Sequence, residues 1–386
     1  MSLSTEERFL RLCLRALWDP PCPEAAVTLA VQEQFDWAAL RLTADVERVA
    51  ALLYHVVCRQ GLVPPEVEAA LEEAYYGLAR QNSLLLHELE RIVGALAEAG
   101  VPVLLLKGAA LAETAYGNAA LRPMDDLDVL VPRPQVGAAQ AALTGLGYRM
   151  VTTEPWPGFS WRYRNAVMLG HPASTEPTFF VGLHIQLFDV PYYERIPVGD
   201  WFARAQAVPA AGSGARMPAP EDHLVYLCGH LALHHEREPA LLRYVDIALL
   251  IRYAGEALDW EQVVQRTADW RLVIPLQRTL AALEDLWPGV VPSAVAAQVA
   301  RLQAGAPERR LHAWLAGHGR TPAFTVLLAL ATLPGLGRRA GYLLEQAFPS
   351  PAYMRRRYCP ERPGLWPLMY LRRVGLAFAY LLARRY

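Results

Sequence analysis

The hydrophobic period of this chain changes twice, and that change limits the folds open to it. Over residues 1 to about 100, stretches such as AALRLTADVERVAALLYHVV and PEVEAALEEAYYGLARQNSLLLHELERIVGALAEAG repeat apolar residues every three or four positions, which is the spacing of helices with one buried face. Gly100 is a natural helix stop. The runs VPVLLL (101–106), DLDVLV, YRMVTT, FSWRYRNAVML and TFFVGLHIQLF then predict strands, with helices over Gly108–Tyr116 and over RPQVGAAQAALTGLG, ending at Gly147. After AVPAAGSGARMPAP (207–220), an Ala/Gly/Pro-rich segment that reads as a linker, helical spacing returns in EDHLVYLCGHLALHHE and PALLRYVDIALLIRYA. The expected class is α+β, a small mixed sheet with flanking helices embedded between N- and C-terminal helical regions. The expected boundaries are a helical region over 1–95, a core over 96–206, a linker over 207–220 and a helical region over 221–386.

At 386 residues, the chain is long enough for two or three packed units. Its formal net charge of −1 argues against a chain-wide basic field for nucleic acid. A local basic patch does exist: Arg338, Arg339, Arg355, Arg356, Arg357, Arg372, Arg373, Arg384 and Arg385 crowd the C-terminal tail and leave open a weak peripheral contact with a membrane surface. The arginines of this tail alternate with Leu, Tyr and Trp at helical spacing, which is also how a packed helix with a solvated face reads. Neither FTVLLALATLPGLG nor LWPLMYLRRVGLAFAYLLA suits a membrane span, the first for its length and Pro334, the second for its central Arg372 and Arg373. Cys13, Cys22, Cys58, Cys228 and Cys359 form no C-x-x-C pair and read as small buried hydrophobes. With early acids and no signal-peptide rhythm in MSLSTEERFLRLCLRALW, a cytoplasmic location is expected.

LRPMDDLDVLVP (121–132) places three aspartates in four positions at the mouth of a strand. Because strand side chains alternate, Asp126 and Asp128 share one face while Leu127, Val129 and Val131 share the other. Two carboxylates about 7 Å apart can converge on a hard cation such as Mg²⁺ or Mn²⁺. The competing reading is a turn in which Asp125 caps, Asp126 makes an Asx turn and Asp128 faces water. Lys107 adds context, because it is the only lysine in the sequence, so 36 of the 37 basic residues are arginine. It ends an apolar run, and Gly108 follows at the expected helix start, where backbone N–H groups and a missing side chain suit the approach of a phosphate.

An apolar strand, K-G, a helix containing Tyr116, then Arg122, D-x-D and Leu-Val together resemble an uncharacterised bacterial nucleotidyltransferase family within the DNA polymerase beta-like superfamily. GLHIQL (182–187), LVYLCGHLALHH, RYVDIALL and FPSPAYMRRRY extend the likeness over roughly residues 80 to 375. LKG stands where many members of the superfamily carry Gly-Ser. The resemblance implies a polymerase-beta-like nucleotidyltransferase core, with Asp126 and Asp128 holding Mg²⁺ or Mn²⁺ and with Lys107, Gly108, Arg122 and Tyr116 at the nucleotide. It also implies an NTP substrate and an acceptor, which can be a small molecule, a sugar, a peptide or a tRNA end.

One position departs from that pattern. Where the family tends to carry an acidic residue two before the histidine matching His184, this chain has Gly182. In the strand expected there, Gly182, His184 and Gln186 share a face opposite Phe179, Val181, Leu183, Ile185 and Leu187, so His184 is a candidate base or partner of a metal-bound water. A structural histidine fits the same pattern, and Asp189 and Glu176 match neither its face nor its level. His223, His230 and His234 can line one helix face. With no further ligand indicated, His230 and His234, like Gln186, read as packing or substrate-cleft residues rather than a zinc site, with Asp246 as a hydrogen-bond partner for one of the histidines. Two functions are carried forward: metal-dependent transfer of an NMP from an NTP to a hydroxyl or phosphate with release of pyrophosphate, or a nucleotide- or metal-binding partner that has lost transfer.

Overall fold

A computed structural model describes residues 3–31, 34–58, 60–171, 179–189, 192, 195–208, 214–235, 240–318, 322–358 and 366–373. Cys359, Glu176 and the arginines at 384 and 385 lie outside the described residues. The chain divides into two compact units: unit 1 joins Met1–Leu146 with Gly199–Arg309, and unit 2 joins Gly147–Val198 with Arg310–Tyr386. The class is mixed α+β, as the change of period implies.

Unit 1 opens with helices α1 (Thr5–Arg15), α2 (Glu24–Ala30), α3 (Trp37–Val46), α4 (Ala50–Val57) and α5 (Pro65–Glu98). At 34 residues, α5 runs about 50 Å and buries Leu71, Leu85, Leu89, Ile92, Val93 and Leu96 along one stripe. Strand β1 (Leu104–Leu105), helix α6 (Lys107–Leu111), strand β2 (Leu127–Leu130) and helix α7 (Val136–Gly145) follow. β1 pairs antiparallel with β2, Leu104 opposite Leu130 and Leu105 opposite Val129.

Two expected elements are shorter here. VPVLLL keeps only two residues in ladder pairing, and the helix expected to reach Tyr116 ends at Leu111. Its continuation is replaced by a turn in which the N–H groups of Thr114 and Tyr116 both donate to Leu111 O, closed by Gly117 at φ 60°.

In unit 2, strands β3 (Arg149–Met150), β4 (Ala166–Gly170) and β5 (Phe180–His184) form an antiparallel run with β4 in the middle. FSWRYRNAVML, expected as one strand, splits into helix α8 (Phe159–Tyr163) and β4. The carboxylate of Glu154 causes the split by accepting the N–H groups of Gly158 at 3.0 Å and Ser160 at 2.6 Å, which caps a helical turn where the apolar pattern alone reads as extended.

The chain passes through α9 (Val198–Arg204) back to unit 1, where β6 (Gln206–Ala207) and β7 (Arg216–Met217) pair antiparallel at the two ends of the Ala/Gly/Pro-rich segment. β7 also lies parallel to β1. Helix α10 (Pro220–His234) is buried nearly all round, as expected of a central helix, and packs against α11 (Leu241–Ala254), α12 (Trp260–Trp270) and α13 (Val273–Leu286). Further helices are α14 (Ser293–Arg301), α15 (Ala306–His318), α16 (Pro322–Thr332), α17 (Leu336–Ala347) and α18 (Pro351–Tyr358). Phe159, Tyr163, Ala329, Leu333 and Tyr342 form a core within unit 2. Among the described residues no helix is long and apolar enough to cross a membrane.

Two polar residues of α5 hold the loop that leads to the aspartates. The amide of Asn82, fully buried, donates to Ala119 O at 2.5 Å and Arg122 O at 2.8 Å, and Gln81 donates to Met124 O at 2.9 Å. Asn82→Ala takes the donor from two part-buried carbonyls, so it is expected to cost about 2 to 3 kcal/mol of stability in urea unfolding, whereas Ser83→Ala, losing an exposed bond to Ala79 O within the same helix, costs less.

Candidate active site

The site grows from the end of β1. Leu106 N–H donates to Asp128 O at 2.9 Å, which carries the β1–β2 register one step further and sets Lys107 beside the head of β2. Lys107 then takes φ 47°, a left-handed backbone that a side chain adopts at a cost of about 1 to 2 kcal/mol. Its Nζ lies 2.6 Å from Asp128 Oδ2. Asp128 therefore does not face water: it is 5% exposed and ion-paired, while Asp126 is half-buried and Asp125 exposed. Burial opposes the charge on Lys107, but Tyr226, Asp128 and Asp126 outweigh it and hold its pKa above the ordinary lysine value.

A second buried pair stands next to the first. Arg122 donates from Nε to Asp246 Oδ1 at 3.2 Å and from Nη2 to Asp246 Oδ2 at 2.7 Å, and Nη1 reaches Pro123 O at 2.8 Å. The Tyr116 hydroxyl donates to the same Asp246 Oδ1 at 2.7 Å. Asp246, expected as a partner of a histidine, is thus held by Arg122 and Tyr116. Burial pushes the Tyr116 hydroxyl well above its ordinary pKa, and Asp246 adds to the shift. The Arg122 guanidinium, despite its burial, is held in its charged form by Asp246. Gly108 makes room for this arrangement, since a Cβ there would collide with Arg122 Nη1 and sit 2.9 Å from Met124 Cγ.

These groups open onto one cavity of about 220 Å³ inside unit 1, lined by Lys107, Gly108, Arg122, Asp125, Asp126, Asp128 and Asp246. Arg48, His230, His235 and Arg243 complete its charged and polar wall. Arg48 sits in the turn between α3 and α4 at φ 61° and grips Asp125 through both terminal nitrogens, at 2.7 and 2.9 Å. His230 stacks on His234 with ring centroids 4.9 Å apart, and His235 lies equally near His230. Burial first, then the charge of Lys107, holds His230 well below the usual imidazole pKa. His223, fully buried on α10 with neither ring nitrogen hydrogen-bonded, is pushed down to about 4 by burial.

The structure thus brings Lys107, Gly108, Arg122, Asp126, Asp128 and His230 to one cavity and sets Tyr116 behind it on Asp246. His234 touches the cavity through His230. His184, buried at the end of β5, and Gln186, just beyond it, belong to unit 2. Arg48, His235, Arg243 and the carbonyl-holding pair Gln81 and Asn82 were not singled out from the sequence. His235 and Arg243 fall within the runs LVYLCGHLALHH and RYVDIALL, where His230, His234 and Asp246 drew the reading, whereas Arg48, Gln81 and Asn82 have no motif around them.

The donor set bears on the implied cation. Among the described residues no group of three or more His, Cys, Asp or Glu side chains is arranged to hold a metal. Asp126 and Asp128, two carboxylates lining one cavity, are hard oxygen donors that fit Mg²⁺ or Mn²⁺ rather than an ion that needs a full protein cage.

The chain belongs to the family described as uncharacterised nucleotidyltransferase, whose sequence profile matches residues 33–288. No curated protein matches it. Among solved structures it is similar to the antibiotic-resistance factor ANT(2'')-Ia in solution, at 16% identity, covering 53% of this chain and 97% of that one, with a TM-score of 0.34. The crystal structure of ANT(2'')-Ia with adenylyl-2''-tobramycin is similar at 15% identity, with coverage of 49% and 98% and a TM-score of 0.33. JHP933 from Helicobacter pylori is similar at 16% identity, with coverage of 62% and 97% and a TM-score of 0.34.

Two outcomes follow from the packing. Gly108→Ala should force Arg122 off Asp246 and cost about 1 to 3 kcal/mol of stability for the overpacking alone, read as a lower thermal midpoint, whereas Gly137→Ala, with nothing within 4 Å of the new Cβ, should not. His223 has a folded-state pKa below its unfolded value, so between pH 6.5 and 4 the unfolded chain binds more protons and stability falls as pH falls. The loss is on the order of 3 kcal/mol across that window, and urea midpoints measured against pH should flatten there in His223→Phe.

Proposed function

We propose that the unit 1 cavity transfers an NMP group from an NTP to a hydroxyl or phosphate acceptor and releases pyrophosphate. The observation that carries this reading is that Asp126, Asp128 and Lys107 line a single cavity, in a chain of a nucleotidyltransferase family. Asp126 and Asp128 would hold Mg²⁺ or Mn²⁺, which when bound neutralises triphosphate charge and polarises the attacked phosphoryl group.

The remaining work belongs to the chain's own residues. Lys107, a compact cation resting on Asp128, exchanges that carboxylate for phosphate oxygens when nucleotide enters. Arg122 is locked by Asp246 and Pro123 O, so its remaining N–H donors meet the substrate without reorganising. Tyr116 positions Asp246 and through it Arg122. As the acceptor oxygen bonds to the α-phosphorus, the bond to the leaving pyrophosphate breaks; pyrophosphate keeps the electron pair, and the acceptor proton goes to a base. His230 lines the same cavity as the aspartates, and His184 is the base that the strand pattern offers. Loss of transfer in His230→Ala with His184→Ala active, or the reverse, assigns the role. Most of the rate comes from positioning and charge stabilisation, so a weak base suffices.

Incubation with each α-³²P-labelled NTP and a panel of acceptors tests the proposal. Wild type should move label to an acceptor, and Asp126→Asn, which leaves the Lys107–Asp128 pair in place, should cut transfer by about a hundredfold or more and remove the metal-dependent part of NTP binding in calorimetry. Metal-dependent NTP binding without transfer to any acceptor would favour the binding-partner reading. Unchanged activity in both Asp126→Asn and Asp128→Asn would sink the site.

A further inference from the structure

Four cations, Arg48, Lys107, Arg122 and Arg243, and four carboxylates, Asp125, Asp126, Asp128 and Asp246, line the cavity. Asp125 holds Arg48, Asp128 holds Lys107 and Asp246 holds Arg122. Arg243 lines the same cavity from the first turn of α11, one turn ahead of Asp246, and its guanidinium makes no hydrogen bond or ion pair among the described residues. A half-buried guanidinium without a partner is a cost that folding normally avoids by pairing or by exposure to solvent.

The backbone deliberately brings a second arginine near it. Glu47 caps the start of α11: its carboxylate accepts Leu241 N–H, and its carbonyl accepts Leu242 N–H at 3.3 Å. Arg48, the next residue, is one of three non-glycine residues with positive φ among the described residues, and another is Lys107. The tie places two guanidinium groups at one wall, where they repel: Arg243 is held below the ordinary arginine pKa by burial first and by Arg48 next, against the weaker pull of Asp246 and Asp125. Like charge at one wall of a cavity is offset by an anion bound between the two groups.

We propose that Arg243, backed by Arg48, is a polyphosphate subsite that grips the terminal phosphates of the bound triphosphate. The inference rests on the nucleotidyl-transfer reading of the cavity and extends it. Asp126, Asp128 and Lys107 act where the α-phosphate reacts. Arg243 acts on the part of the substrate that leaves as pyrophosphate, so its contribution depends on the number of phosphates and not on the base or the acceptor. Asp125 modulates the pair, because its exposed carboxylate shares Arg48 and competes with the incoming anion.

Calorimetry with inorganic tripolyphosphate, Mg²⁺-ATP and AMP on wild type, Arg243→Gln and Arg243→Lys tests this. Arg243→Gln should weaken tripolyphosphate and ATP by about ten- to a hundredfold, the range of one or two charge-assisted hydrogen bonds, and change AMP less than about twofold. Arg243→Lys should recover part of the loss, since charge is kept and the planar fork is not. Without ligand, Arg243→Gln should unfold at the same temperature as wild type or higher, because repulsion from Arg48 is relieved; a merely structural arginine would lower it. Equal tripolyphosphate affinity in wild type and Arg243→Gln, an equal loss for AMP, or no tripolyphosphate binding by wild type overturns the proposal. Arg243-dependent tripolyphosphate binding by a protein that transfers no label would keep the subsite and remove the transfer reading.

Discussion

The buried pair of Arg122 with Asp246 is the interaction on which the site depends. It joins the loop before β2 to the interior face of α11, two stretches of unit 1 that are 124 residues apart in sequence. Burying both charges is expensive, and that cost is offset only because both carboxylate oxygens and three guanidinium nitrogens find partners. Removing either partner would strand a charge. The pair therefore rigidly sets where the loop carrying Asp125 and Asp126 can lie, and it forces glycine at 108, where a side chain would collide with the guanidinium.

Around this anchor the cavity is arranged as a set of held charges. Lys107 rests on Asp128 and Arg48 on Asp125, and both cations are presented from left-handed backbone that side chains ordinarily avoid. Strain of that kind persists where the surrounding contacts over-determine the conformation. Here those contacts are the β1–β2 register at Lys107 and the Glu47 cap on α11 at Arg48. A charged cavity built this way needs little rearrangement to meet a charged ligand, which is the condition under which electrostatic stabilisation is strongest.

Much of the candidate site was legible in the sequence because it is local. The D-x-D alternation at a strand mouth and the single lysine before Gly108, with which the family likeness begins, lie within the segment from Lys107 to Asp128, and Asp126, Asp128 and Lys107 do line one cavity. Arg122 and Gly108 were found for a different reason from the one the packing shows: glycine at 108 admits the arginine. α8 was missed because its cap, Glu154, lies outside the apolar run that it interrupts. β6 and β7 were missed because two-residue strands carry no period at all.

The sequence by itself determined the class and the family, an α+β chain of a nucleotidyltransferase family with paired aspartates in its D-x-D and a lone lysine, because period, residue type and short-range spacing are properties of neighbours along the chain. Only the tertiary structure decided which cation meets which carboxylate. Asp246 could not be matched to Arg122, Glu47 to the start of α11, or Arg243 to a cavity 115 residues or more from Asp126 and Asp128 in sequence, since nothing in a local pattern records a contact made by two helices folding together. Burial converts those contacts from weak surface pairings into constraints, because in a low-dielectric interior an unmatched charge is costly enough to select one arrangement.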